Sequence, residues 1–179
     1  MKKLITLLAA LTLTVAAFAQ RSLLQPRLEI VEIEADADNA APFEVFWMED
    51  EGVNHYYLTV GNLGVGNNFI QFHVDPLYEL FLPLGDSIEE AIETLEMLKE
   101  FYKNEKGTSM EMPGCLSIGV PSDELQPIKV TYNRGLGTHY LEFSIEYNDV
   151  VRATYLTRAN LKALLSGTKF HHKLHPKQQ

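Results

Sequence analysis

From Leu28 onward, apolar and polar positions alternate in short runs, and Gly, Pro, Asn and Asp interrupt them. A period of two over four to ten residues predicts half-buried β-strands joined by turns. The segments that carry it are Leu28–Glu34, Phe43–Met48, Asn54–Val60, Phe69–Val74, Tyr78–Leu82, Cys115–Val120, Ile128–Asn133, His139–Tyr147 and Val151–Leu156. The period changes at Ile88–Lys103. Ile88, Ala91, Ile92, Leu95, Leu98 and Tyr102 recur at helical spacing, while Glu89, Glu93, Glu96, Lys99 and Glu100 fill the other faces. Ser87 with Glu90 three residues later forms a capping box, and Gly107 lies past the end. A shorter helix is predicted over Arg158–Ser166, with Thr157 as its cap, Leu161, Leu164 and Leu165 facing inward, and Gly167 as its stop.

Runs of strands followed by helices favour α+β over a parallel α/β arrangement. The expected architecture is one or more antiparallel, β-rich sheets with one long and one short helix packed on one face. The expected organisation is residues 1–19 as a signal peptide, 20–27 as a short leader, 28–168 as a single α+β domain, and 169–179 as a polar, basic, His-rich tail.

Hairpin registers follow from which side chains must share a face. A two-residue turn at Asn148-Asp149 would set Ile145 opposite Arg152. A three-residue loop, Asn148-Asp149-Val150, sets Ile145 opposite Ala153, Phe143 opposite Tyr155 and Glu146 opposite Arg152. A one-residue slip exchanges every side chain between faces, so the three-residue loop is expected. Between Asn54–Val60 and Phe69–Val74, Leu58 opposite Ile70 and Tyr56 opposite Phe72 make an apolar face. That register sets His55 opposite His73, and Asp75 points the same way if the strand continues. Two imidazoles and a carboxylate on one face suit a divalent metal. They also suit a pH-sensitive polar patch, or are two ordinary histidines on a solvated sheet face.

The first twenty residues obey another rule. Lys2 and Lys3 precede a nearly unbroken apolar run, Leu4 to Phe18, and Ala17-Phe18-Ala19 is a small-x-small cleavage site before Gln20. This is the pattern of a secretory signal peptide. A membrane-spanning helix needs about 20 apolar residues, more than this run supplies. A lipid anchor would need a cysteine at the cleavage point, and Cys115 is the only cysteine. The expected product is secreted or periplasmic, with no membrane insertion after cleavage. Without Lys2 and Lys3 there remain 13 basic and 24 acidic side chains, a net charge of −11. Nucleic-acid binding relies on clustered Lys and Arg, so no nucleic-acid partner is expected. The charge is uneven: residues 28–51 hold nine carboxylates and no Lys or Arg, whereas Lys169, His171, His172, Lys173, His175 and Lys177 close the chain.

Other candidate chemistry is sparse. Residues 61–68, GNLGVGNN, lack the helix that a phosphate-cradling loop requires. They read as a hairpin loop, with Leu63, Gly64 and Val65 as a candidate interaction tip. Cys115 needs a nearby His base to act as a nucleophile; a packed, inert thiol is the expectation. His171 and His175 lie four apart and would share a helix face, although the position reads as a polar tail.

The leader ending in Ala-Phe-Ala-Gln resembles leaders of Bacteroidetes-type bacteria. Val60–Lys103, with its GNLGVGNN and VDPLYELFLPLGDSIEEAIETLEMLKEFYK runs, resembles small secreted proteins of that group with no assigned function. The resemblance implies an exported bacterial protein and transfers no active site. The expected function is non-enzymatic binding of a protein or small-molecule partner, without a cofactor. The alternatives are a small metal-dependent or Cys/His hydrolase with a divalent metal at His55, His73 and Asp75, or a secreted enzyme inhibitor.

Overall fold

The computed structural model describes residues 27–33, 43–50, 52–67, 70–117, 125–135, 137–147 and 149–176, without the side chains of 61–79, 117 and 147. Along them run β1 (Leu28–Ile33), β2 (Phe43–Asp50), β3 (Val53–Asn67), β4 (Ile70–Gly85), α1 (Ile88–Phe101), β5 (Ser109–Ser117), β6 (Gln126–Gly135), β7 (Thr138–Tyr147), β8 (Val150–Thr157) and α2 (Arg158–Leu174). The strands form one antiparallel sheet in sequential order. β3 also pairs with β8, Gly64 against Ala153, so the sheet curls until these strands meet. This is the expected α+β class with an antiparallel sheet. No helix among the described residues is long and apolar enough to cross a membrane.

Alternation sorts the side chains into two clusters. The larger joins Val45, Leu58, Leu82, Val130, Phe143 and Leu156 of the strands to Ala91, Leu95 and Leu98 of α1 and Leu161 and Leu164 of α2. The smaller, of opposite parity, contains Phe46, Met48, Phe81 and Cys115. Arg27 covers the smaller one, its guanidinium 4.9 Å from the Phe46 ring centre and 5.0 Å from that of Phe81. Aromatic faces attract such a cation, and Glu44 Oε2 stands 3.6 Å from Arg27 Nη1.

α1 forms as its spacing predicts. Ser87 Oγ accepts from Glu90 N–H at 3.2 Å, and Glu90 Oε2 accepts from Asp86 N–H at 2.7 Å, one residue before the cap. Of the expected stripe, Ile88, Ala91, Leu95, Leu98 and Tyr102 are buried and Ile92 is half-buried. Thr94 donates to the Leu84 carbonyl at 3.0 Å and fixes α1 to β4. Tyr102 ends the stripe and donates to the Leu156 carbonyl at 2.6 Å.

Three local expectations are corrected. The short helix is the longer one: α2 has 17 residues against 14 for α1 and runs through Lys169 to Leu174. Gly167 does not stop it. A Cβ there would come within 2.6 Å of Val31 Cγ2, so the glycine is where α2 presses against β1. Second, residues 61–67 are not a hairpin loop. β3 continues through them, and its pairing with β4 shifts register between Thr59 and Asn62, Asn62 and Gly64, and Val65 and Gly66. Glycines inside a strand mark bulges and close backbone approach; here they fall where β3 is flanked by both β4 and β8.

Third, the β7–β8 hairpin uses the two-residue turn. Ile145 pairs with Arg152, Phe143 with Thr154, Glu142 with Tyr155 and Glu146 with Val151. Asp149 takes φ +59°, the left-handed conformation that tight hairpin turns need and Asn or Asp tolerate. Turn chemistry therefore set the register. Thr154 and Leu156, rather than Ala153 and Tyr155, face the large cluster. Arg152 is accommodated beside Ile145 by covering its stem and part of its guanidinium.

Candidate functional site

The register of β3 on β4 determines the site. Tyr56 pairs with Gly85, so the start of β3 lies against the turn into α1. His55 Nδ1 then stands 2.7 Å from Asp86 Oδ1. Beside this pair is a recess of about 310 Å³, lined by Val53, Asn54, Tyr56, Asp86, Ile88 and Glu89 among others. Ile88 and Tyr56 are buried at its base. Asp86 and Glu89 are on its rim, with side chains 65% and 48% exposed. α2 reaches the same place: His172 Nε2 lies 3.5 Å from Glu89 Oε1.

Burial raises the Tyr56 hydroxyl above the usual tyrosine range, and the Glu89 charge adds to the effect. Tyr56 therefore holds its phenol proton more firmly than an exposed tyrosine does. An apolar base, one phenol, one amide and two rim carboxylates suit a positively charged group. Carboxylates give charge-assisted hydrogen bonds to ammonium or guanidinium, and an aromatic ring adds attraction. A recess of this volume is at the small end of ligand sites. A shallower groove of about 400 Å³ follows the other flank of α1, lined by Leu84, Glu90, Glu93, Thr94 and Met97.

The expected pairing of His55 with His73 is not formed. His73 pairs with Val65, ten positions beyond His55 on β3, a strand path of roughly 33 Å at about 3.3 Å per residue. β3 and β4 stay paired as far as Asn67 against Ile70 instead of parting over the expected loop, residues 61–68, and that moves every partner. Asp75 lies in β4. The side chains of His73 and Asp75 are outside the described residues, as are those of Leu63 and Val65 in β3. Among the described residues no group of three or more His, Cys, Asp or Glu side chains could hold a metal. Cys115 is fully buried against Phe46 and Phe81, the setting of an unreactive thiol. Sequence reasoning missed Asp86 and Glu89 as site residues: Glu89 reads as part of the polar face of α1, and nothing local marks Asp86 as lying beside β3.

A second polar cluster lies across β6, β7 and β8. Glu142 pairs with Thr131 on one side and Tyr155 on the other, and Asn133 Nδ2 donates to Glu142 Oε2 at 3.4 Å. Burial raises the Glu142 carboxyl, and Lys129 partly offsets this. Burial also pushes Tyr155 up to about 12, with the Glu142 charge contributing. Tyr140 meets Tyr155 edge-on at 5.3 Å. No protein-family model, curated protein or solved structure matches this chain.

Proposed function

We propose that this chain is an exported, non-enzymatic binding protein, and that the recess between β3 and α1 receives a positively charged group of its partner. The observation that carries this is the recess itself: Asp86 and Glu89 on the rim, Tyr56 and Ile88 at the base, and no Lys or Arg in its lining. The net charge of the chain, −9, favours the same class of partner at longer range. Export is supported by the signal-peptide pattern of residues 1–19. We also infer that both helices lie on one face of the sheet, since buried residues of each join the same apolar cluster.

The test is calorimetric titration of the protein with short peptides rich in lysine or arginine, beside acidic controls of equal length. Binding should occur only with the basic peptides, weaken with added salt, and fall at least about ten-fold in Asp86→Asn/Glu89→Gln. Equal binding of acidic and basic peptides, no binding, or an unaffected double variant would end this reading. A second reading, a hydrolase, draws support from the 2.7 Å contact of His55 with Asp86. A carboxylate on an imidazole orients a general base. It predicts turnover of ester or peptide substrates that His55→Ala abolishes.

A further inference from the structure

We propose that the C-terminal end of α2 is a site for a divalent transition cation, with His171 and His175 as its two protein ligands. The helix runs on through this segment to Leu174, and the His175 N–H closes the last turn on the His171 carbonyl at 3.0 Å. Residues four apart share a helix face, and this closure holds the two imidazoles on one side. Their ring centres are 4.7 Å apart, with planes inclined at 42°.

That separation has chemical content. A metal about 2.1 Å from each ligating nitrogen lies about 3.2 Å from each ring centre, so the centres stand roughly 4.5 Å apart in a right-angle chelate and roughly 5.2 Å apart in a tetrahedral one. The observed value is nearer the right-angle case. Cu(II) and Ni(II) prefer tetragonal nitrogen and oxygen sites, whereas Zn(II) prefers tetrahedral ones. One divalent transition cation fits between the pair, with water completing the coordination.

The surroundings permit a cation. His171 and His175 are at the negative end of the α2 dipole, which favours positive charge. Lys173 falls between them in sequence but projects about 200° around the helix from His171. His172 is directed elsewhere, toward Glu89 of α1 at 3.5 Å, and acts as an internal control.

The experiment is calorimetric titration of the untagged protein with NiCl₂ and CuCl₂, with far-UV circular dichroism confirming that each variant is folded. About one equivalent should bind. His171→Ala and His175→Ala should each lower affinity by about ten-fold or more, since even partners one shell removed from a metal are worth 10–100-fold. His172→Ala should change it less than about three-fold. Binding that survives the His171→Ala/His175→Ala double variant, or that falls as far in His172→Ala as in His175→Ala, would overturn the proposal.

Discussion

Replacing Gly167 by alanine sets two effects against each other. In a helix interior, alanine is more favourable than glycine by about 0.5–1 kcal/mol. At this position the new methyl would lie 2.6 Å from Val31 Cγ2 and 2.9 Å from Val31 Cβ. Ordinary carbon contacts are about 3.5–4.0 Å, so β1 and α2 have to separate. Overpacking of this kind costs about 1–3 kcal/mol. The expected outcome is therefore a net loss of about 0–2.5 kcal/mol, where an unobstructed helix would gain stability. Val31→Ala removes the nearest obstructing atom. In that background, adding Gly167→Ala should be more favourable by about 1 kcal/mol or more than in the parent chain. The assay is equilibrium urea unfolding of the four proteins, followed by circular dichroism and by the fluorescence of the single tryptophan, Trp47. If Gly167→Ala stabilises the parent by the full helix-propensity gain, and the two substitutions add without coupling, the close approach of α2 to β1 is refuted.

Three further outcomes are expected. Ser87→Ala removes the cap of α1 and should cost about 0.5–2 kcal/mol in the same unfolding assay. Tyr102→Phe deprives the buried Leu156 carbonyl of a donor and should cost about 1–3 kcal/mol, with an unchanged m-value. Glu142 binds its proton more tightly when folded, because burial raises its carboxyl. Stability should therefore fall as pH rises from the ordinary glutamate range through the higher folded value, with the cost fully present above that window and absent below it. Glu142→Gln should flatten that part of a stability-versus-pH curve, measured by thermal unfolding between pH 4 and 8 (about one step per half unit).

The parts of the fold that local rules govern were legible in the sequence. Each predicted strand segment overlaps an observed strand, and α1 was readable to its cap because Ser87, Glu90 and the apolar stripe lie within a few turns of one another. Registers were less accessible, because two local rules competed. Around Asn148 the facing pattern favoured one loop and the left-handed Asp149 favoured another, and the turn prevailed. In residues 61–67 and at Gly167, glycine was read as a break, whereas its missing side chain lets another strand or helix come close. The recess was hidden for the same reason. His55 and Asp86 are 31 residues apart, and only the pairing of Tyr56 with Gly85 joins them.

Because β3 meets β8 at Ala153, the described sheet leaves β1 as its open margin, and β1 is poorly suited to templating. It is only six residues long, its register breaks between Glu29 and Val31, and Glu29 and Glu32 are exposed along it. Short length, a bulge and charge each discourage a foreign strand from adding on. α2 presses on the same strand at Val31. The architecture thus guards against edge-to-edge aggregation by the shape and charge of one short strand, without a disulfide.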